Sequence, residues 1–105
     1  MSPPPSPDLL SKMLALSAQA EAGRNYESAY HLLVAALHDA ENRGDMVGVD
    51  RVAEVASEQE RRLEALDPPH HLSSAAARLR GAPALYRTLQ LHLDAVRARI
   101  RTTGG

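Results

Sequence analysis

Apolar residues recur along most of this chain at intervals of three and four, the spacing of one face of an α-helix. From Asp8 to about Ala22 the stripe is Leu9, Met13, Leu16 and Ala20, with Asp8 placed to cap the first turn and Gly23 to stop the last. From Asn25 to about Arg43, Tyr26, Ala29, Tyr30, Leu33, Ala36, Leu37 and Ala40 share one side of a helical wheel. His31, His38, Asp39 and Asn42 take the other side, which makes this the cleanest amphipathic helix in the sequence. Gly44 ends it, and Asp45 opens a third helix to about Leu66. That stripe, Val49, Val52, Ala53, Ala56, Leu63 and Leu66, is broken by Gln59 and Glu60, while Asp50, Glu54, Glu58, Arg61 and Arg62 form a charged ladder outside it.

Asp67-Pro68-Pro69 stops the third helix, because proline cannot continue one and restricts the residue before it. His70 to Gly81 then reads as a short helix capped by Ser73 or Ser74, and Pro83 as the first turn of a last helix reaching Arg101. In that helix Leu85, Leu89, His92, Leu93, Val96 and Ile100 face inward. Arg87, Gln90, Asp94, Arg97 and Arg101 face outward, with Leu91 stranded among them. The resulting organisation is a Pro-rich lead without fixed structure at 1–7 and a three-helix bundle at 8–66. A linker and a basic amphipathic helix at 67–101 pack on the same domain, and 102–105 is a loose tail.

Composition narrows the class. The 105 residues suit one domain, and 44% hydrophobic content is too high for disorder throughout. There is no Phe, Trp or Cys and there are three Tyr, so Leu, Ala, Val and Met must build the core. Strong helix formers dominate and strand formers are scarce, which predicts an all-α, small antiparallel bundle. Absent cysteine removes disulfides, thiolate metal sites and thiol nucleophiles, in keeping with a reducing cytoplasm. The N-terminus shows no basic start and apolar run of a secretory signal, and no stretch nears the ~20 apolar residues of a membrane span. A soluble, cytoplasmic chain is expected. Eleven Arg against one Lys, with abundant Ala, points to a GC-rich bacterial genome.

The net charge of −1 conceals an uneven distribution. Residues 1–71 carry six basic and twelve acidic groups, a net of −6, whereas residues 72–105 carry six Arg and one acid, Asp94, a net of +5. Such a chain can fold its basic end onto the acidic helices, pair with a second copy, or offer a basic face to an acidic partner.

The run from Leu16 to Leu37 resembles a tetratricopeptide-repeat helical hairpin. A short Gly-containing turn leads into Asn25-Tyr26-Glu27-Ser28-Ala29, which matches the opening of that family's second helix, and Ala36-Leu37 matches its later small–large pair. Asn42-Arg43-Gly44-Asp45 resembles the junction to a third helix. The chain departs from the pattern at Met13, where a large aromatic is common, and at Ser17, where glycine is common. It also lacks the usual proline at the end of the second helix, and no second full repeat is visible after residue 45. The microtubule-interacting-and-trafficking domain, a related three-helix bundle, suits the same pattern. Either resemblance implies that a hairpin plus two or three further helices binds protein or peptide rather than performing chemistry. A lone hairpin cannot cover its own apolar face, so stacking on later helices or on another chain is expected.

Few residues invite chemistry. His31 and His38 share a helix face but lie ~10.5 Å apart along the axis, too far to share a zinc ion held at ~2.0–2.1 Å. His70-His71 sits in a predicted loop and His92 borders an apolar face, so no metal site or cofactor is expected. The serines lie in helices or caps without a Gly-x-Ser-x-Gly elbow, and no phosphate-cradling glycine loop is present. Arg78, Arg80, Arg87, Arg97, Arg99 and Arg101 make the last helix basic, yet a single aromatic, Tyr86, is interleaved for base stacking, which weighs against nucleic acid. The opposite face carries no Trp or Phe to enter a membrane surface. The expected function is therefore a non-catalytic protein-interaction module of adaptor or scaffold type; the alternatives are a nucleic-acid-binding protein using the C-terminal arginine face and a small enzyme with no readable motif. Arg87, Leu91, Arg97 and Arg101 are the module's candidate contact residues, and a homodimer through the last helix is part of that reading.

Overall fold

The computed structural model describes residues 7–66 and 74–103, with side chains from Leu9 to Leu66 and from Gly81 to Thr102. Four helices account for nearly all of it: α1 (Pro7–Ala22), α2 (Tyr26–Asn42), α3 (Met46–Glu64) and α4 (Ser74–Thr103). No strand occurs among the described residues, so the all-α bundle expected from the sequence is the fold. The lead at 1–6, the Asp67-Pro68-Pro69 stop and the His70–Ser73 start of the expected short helix lie outside the described residues.

Two nearly identical turns set the direction of the first three helices. In each, the residue before the cap adopts a left-handed conformation: Arg24 at φ 59° and Gly44 at φ 62°. Arg24 and Gly44 donate their N–H groups three residues back, to Glu21 and Glu41, and Asn25 and Asp45 donate five back, to Ala20 and Ala40. The cap side chains then accept from the next helix, Asn25 from the Ser28 N–H and Asp45 from the Gly48 N–H. The left-handed residue of the first turn is Arg24, not Gly23, which costs an L-residue the Cβ–carbonyl crowding a glycine avoids. Gly48 is also required: a Cβ there would lie 2.6 Å from the Asp45 carboxylate and 3.2 Å from the Ala40 Cβ.

Contacts between helices give an up-down-up-down order. α1 and α3 run parallel, since Ser11, Ser17 and Glu21 meet Arg51, Gln59 and Arg62 in sequence. α3 and α4 run antiparallel, with Tyr86 at Gln59 and Arg97 at Asp50. α2 packs closely on all three other helices, whereas among the described residues the backbones of α1 and α4 do not come close to each other. The helices therefore form an open stack of two hairpins, 17 Å thick and two helices deep, rather than a closed square.

The core forms where these helices converge. Tyr26, Leu33 and Leu37 of α2 are buried as their spacing predicts, among Val49, Val52, Ala56 and Leu63 of α3 and Leu89, Leu93 and Val96 of α4. Removing each large side chain of this kind from water contributes roughly 1.5–3 kcal/mol. The α1 stripe is displaced by one residue from the expected one. Leu10, Leu14 and Ser17 are buried, Met13 and Ala20 are half-buried, and Leu9 and Leu16 remain about half exposed at 49% each. The reason lies in Ser17, whose hydroxyl has partners on two other helices and so must point inward.

Gln59 does not break the α3 stripe; it completes it. The fully buried Tyr86 hydroxyl donates to Gln59 Oε1 at 2.7 Å, Gln59 Nε2 donates to Ser17 Oγ at 3.0 Å, and Ser17 Oγ donates to the Ala29 carbonyl at 2.9 Å. One relay of hydrogen bonds thus passes through all four helices. No buried side-chain polar atom among the described residues lacks a partner. Burial pushes the Tyr86 hydroxyl well above its ordinary pKa, so it stays protonated and donates at any working pH.

The last helix differs most from expectation. Pro83 does not open it; α4 runs unbroken from Ser74 through Pro83 to Thr103. Within a helix a proline forfeits one backbone bond and clashes with the preceding turn, at about 3 kcal/mol. Splitting the segment would instead leave about four C=O and four N–H groups unpaired at the new ends. Ala82, Ala84 and Leu85 around the proline are strong helix formers, and continuity is the outcome. The tail is likewise shorter than expected, because Thr102 Oγ1 donates to the Ala98 carbonyl and the helix reaches Thr103. At the other end α1 begins at Pro7, one residue ahead of the expected Asp8 cap, where proline suits a first helical turn.

Two substitutions probe this framework. Gln59→Leu leaves the Tyr86 and Ser17 hydroxyls without their partner and should destabilise the fold by about 1–3 kcal/mol, read from urea denaturation; an unchanged midpoint would mean the relay holds nothing together. Arg24→Gly removes the left-handed strain and should raise stability by about 1 kcal/mol in the same assay, whereas a loss would show that the arginine side chain outweighs its backbone cost.

Candidate protein-interaction face

Helix α4 positions every candidate contact residue. Its inner side, Ala82, Tyr86, Leu89, Leu93 and Val96, is buried, with Leu85, His92 and Ile100 half-buried at its borders. A 3.6-residue period then forces Ala84, Arg87, Thr88, Leu91, Asp94, Ala95, Ala98 and Arg101 outward, and all of these are exposed.

The arginines divide into two groups. Arg97 reaches back to α3 and donates to Asp50 at 2.9 Å. Arg99 reaches α2, where its guanidinium binds both oxygens of Glu41 in a forked arrangement. These pairs lay the basic end of the chain on its acidic helices, one of the three arrangements the charge distribution permits. Arg87 and Arg101 belong to the second group: both are exposed, and neither forms an ion pair among the described residues. Leu91 lies between them along the outward side at 69% exposure. Of the four candidates, Arg87, Leu91 and Arg101 therefore share one free surface, while Arg97 is committed to the fold. Arg78 and Arg80 fall outside the described side chains.

Other clusters offer less to a ligand. His38 of α2 and His92 of α4 meet edge to face with ring centroids 5.2 Å apart, a juxtaposition that spacing along one helix does not reveal. His31 instead sits 3.8 Å from Glu27, both exposed. Among the described residues no three His, Asp or Glu side chains converge to hold a metal ion. A shallow cleft of about 310 Å³ is lined by Glu21, Ala22, Arg24, Tyr26, Arg62 and Leu66. Its carboxylate and one of its guanidinium groups are already paired, because Arg62 grips both oxygens of Glu21 at 2.9 and 2.7 Å. No described helix is long and apolar enough to cross a membrane.

Sequence reasoning overlooked Tyr86, Gln59 and Ser17 as a connected set. The available signal was a glutamine at an inward position of an otherwise apolar stripe, which demands partners once it is buried. Compared with protein-family models, characterised proteins and solved structures, this chain matches none.

The forked Arg99–Glu41 pair can be read directly. The guanidinium, chiefly through its hydrogen bonds, holds the Glu41 carboxyl below the ordinary glutamate range. A depressed folded-state pKa favours the folded state above the unfolded value of about 4.3, and this contribution is lost as pH falls through the folded value. Carboxyl NMR titration should therefore place Glu41 below a typical glutamate midpoint and return it toward that midpoint in Arg99→Gln; equal midpoints in the two proteins would rule the pairing out in solution.

Proposed function

We propose that this chain is a non-catalytic helical module that binds protein or peptide through the outward side of α4. The observation that carries the reading is Leu91, a large apolar side chain 69% exposed at the middle of that side, bracketed by the unpaired cations Arg87 and Arg101. An apolar centre within a polar, arginine-bearing rim is the anatomy of a recognition surface. The tetratricopeptide resemblance supports the same class of function: α1–α2 and α3–α4 are antiparallel hairpins stacked side by side, as repeats of that family would be. The nucleic-acid alternative loses support, because Arg97 and Arg99 are neutralised by Asp50 and Glu41. A cytoplasmic site of action is part of the proposal and rests on the absence of cysteine.

Leu91→Glu tests the reading. An exposed substitution should leave helicity by circular dichroism, and stability within about 0.5 kcal/mol, unchanged. Binding of whatever protein the wild-type chain retains on a column, including further copies of itself, should weaken by tenfold or more, about 1.4 kcal/mol. Retention of the same protein with equal affinity by the variant would refute the assignment of this face.

A further inference from the structure

The shallow cleft between the first turn and the end of α3 holds two polar groups that the fold leaves unspent. It is lined by Glu21 and Ala22 of α1, Arg24 of the turn, Tyr26 of α2, Arg62 of α3 and Leu66 just beyond it. Tyr26 is only 6% exposed, yet its hydroxyl has no hydrogen-bond partner among the described residues. No buried side-chain polar atom among those residues is orphaned, so the hydroxyl must be the part of Tyr26 that still meets solvent, and the cleft is where it does so. Arg24 is the second group. Its guanidinium has neither an ion pair nor a hydrogen bond among the described residues. Its backbone holds φ 59°, a conformation for which the matching turn uses Gly44. The other charges are spent, because Arg62 grips both oxygens of Glu21. Arg24 is left as the uncompensated cation of the cleft.

The chemistry of this lining selects its occupant. A guanidinium offers only donors, and a phenol beside it donates most strongly to an anion, so one acceptor group with two oxygens satisfies both. A cation meets Arg24 and finds the single carboxylate of the cleft already taken. An inorganic anion has no apolar body to set against Ala22 and Leu66. We infer that the cleft binds a small organic carboxylate, its oxygens on the Arg24 guanidinium and the Tyr26 hydroxyl and its apolar body on Leu66 and Ala22. The volume of about 310 Å³ lies at the lower end of small-molecule sites, ~300–1,000 Å³, which suits a body the size of one branched aliphatic side chain. Much of the site is already in place. Tyr26 is the first residue of α2, its ring is held in the core, and Asn25 caps the helix it opens. The forked Arg62–Glu21 pair fixes the opposite wall. Little ordering is then left for binding to impose. This site is independent of the outward side of α4, and neither assignment needs the other.

The probe is 4-methylpentanoate, a carboxylate on a branched aliphatic body, titrated into the full chain and followed by amide NMR. Its uncharged control is 4-methylpentanamide. Resonances of Arg24, Tyr26 and Leu66 should shift and saturate with the acid in the millimolar range, and the amide should bind at least tenfold more weakly. Arg24→Gln keeps a side chain at the left-handed position and should weaken binding of the acid about tenfold. Tyr26→Phe keeps the ring in the core and should weaken it about threefold or more. Circular dichroism on both variants reports whether the helices persist, so a lost site is told apart from a lost fold. The inference is overturned if no saturable shift appears by about 10 mM acid, if acid and amide bind alike, or if folded Arg24→Gln binds the acid as the wild type does. A short peptide ending in leucine presents the same carboxylate from another source. Binding of that peptide more than tenfold tighter than the free acid overturns the small-molecule assignment, and equal or weaker binding supports it.

Discussion

Every helix of this protein is tied to one buried relay, from the Tyr86 hydroxyl through the Gln59 amide and the Ser17 hydroxyl to the Ala29 carbonyl. Apolar packing contributes most of the stabilisation, but it is non-directional and tolerates sliding and rotation. The relay does not. Gln59 reaches both neighbours only if α1, α3 and α4 are in one relative register, and Ser17 reaches Ala29 only if α1 crosses α2 at one height. A buried polar chain with every member satisfied selects a unique arrangement from the many a leucine- and alanine-rich core would accept.

That constraint explains the position of α4. With Tyr86 held at Gln59, the rest of α4 follows α3 and α2 in phase, bringing Arg97 to Asp50 and Arg99 to Glu41. These exposed pairs add little energy individually. Their larger effect is subtractive: they consume part of the chain's positive charge internally and leave Arg87, Asp94 and Arg101 exposed on the outward side of α4.

Much of this was legible in the sequence, and the failures share a cause. The stripe of α2 is legible because a clean 3.6-residue alternation leaves one solution for the buried side. The stripe of α1 lies one residue from the pattern because Leu9, Met13, Leu16 is more apolar than Leu10, Leu14, Ser17, and periodicity ranks residues by hydrophobicity alone. A serine bonded on two sides belongs inside, yet only the third dimension supplies the bonds. Gln59 and Tyr86 were obscured in the same way. Pro83 misled by the opposite route: a strong local breaker was overruled by the cost of two new helix ends. At the candidate face, Leu91 stood out from the wheel alone, whereas the internal pairing of Arg97 required knowing where Asp50 would lie.

The duplicated turns at Arg24–Asn25 and Gly44–Asp45 have a further consequence, for how this protein tolerates changes in length. Each turn locks the end of one helix to the start of the next through bonds reaching five residues back and three ahead. An inserted or deleted residue there would rotate the following helix by about 100° and bring its polar side inward. Either turn therefore resists a change in length, because the phase of α2 and of α3 is set by the helix before it.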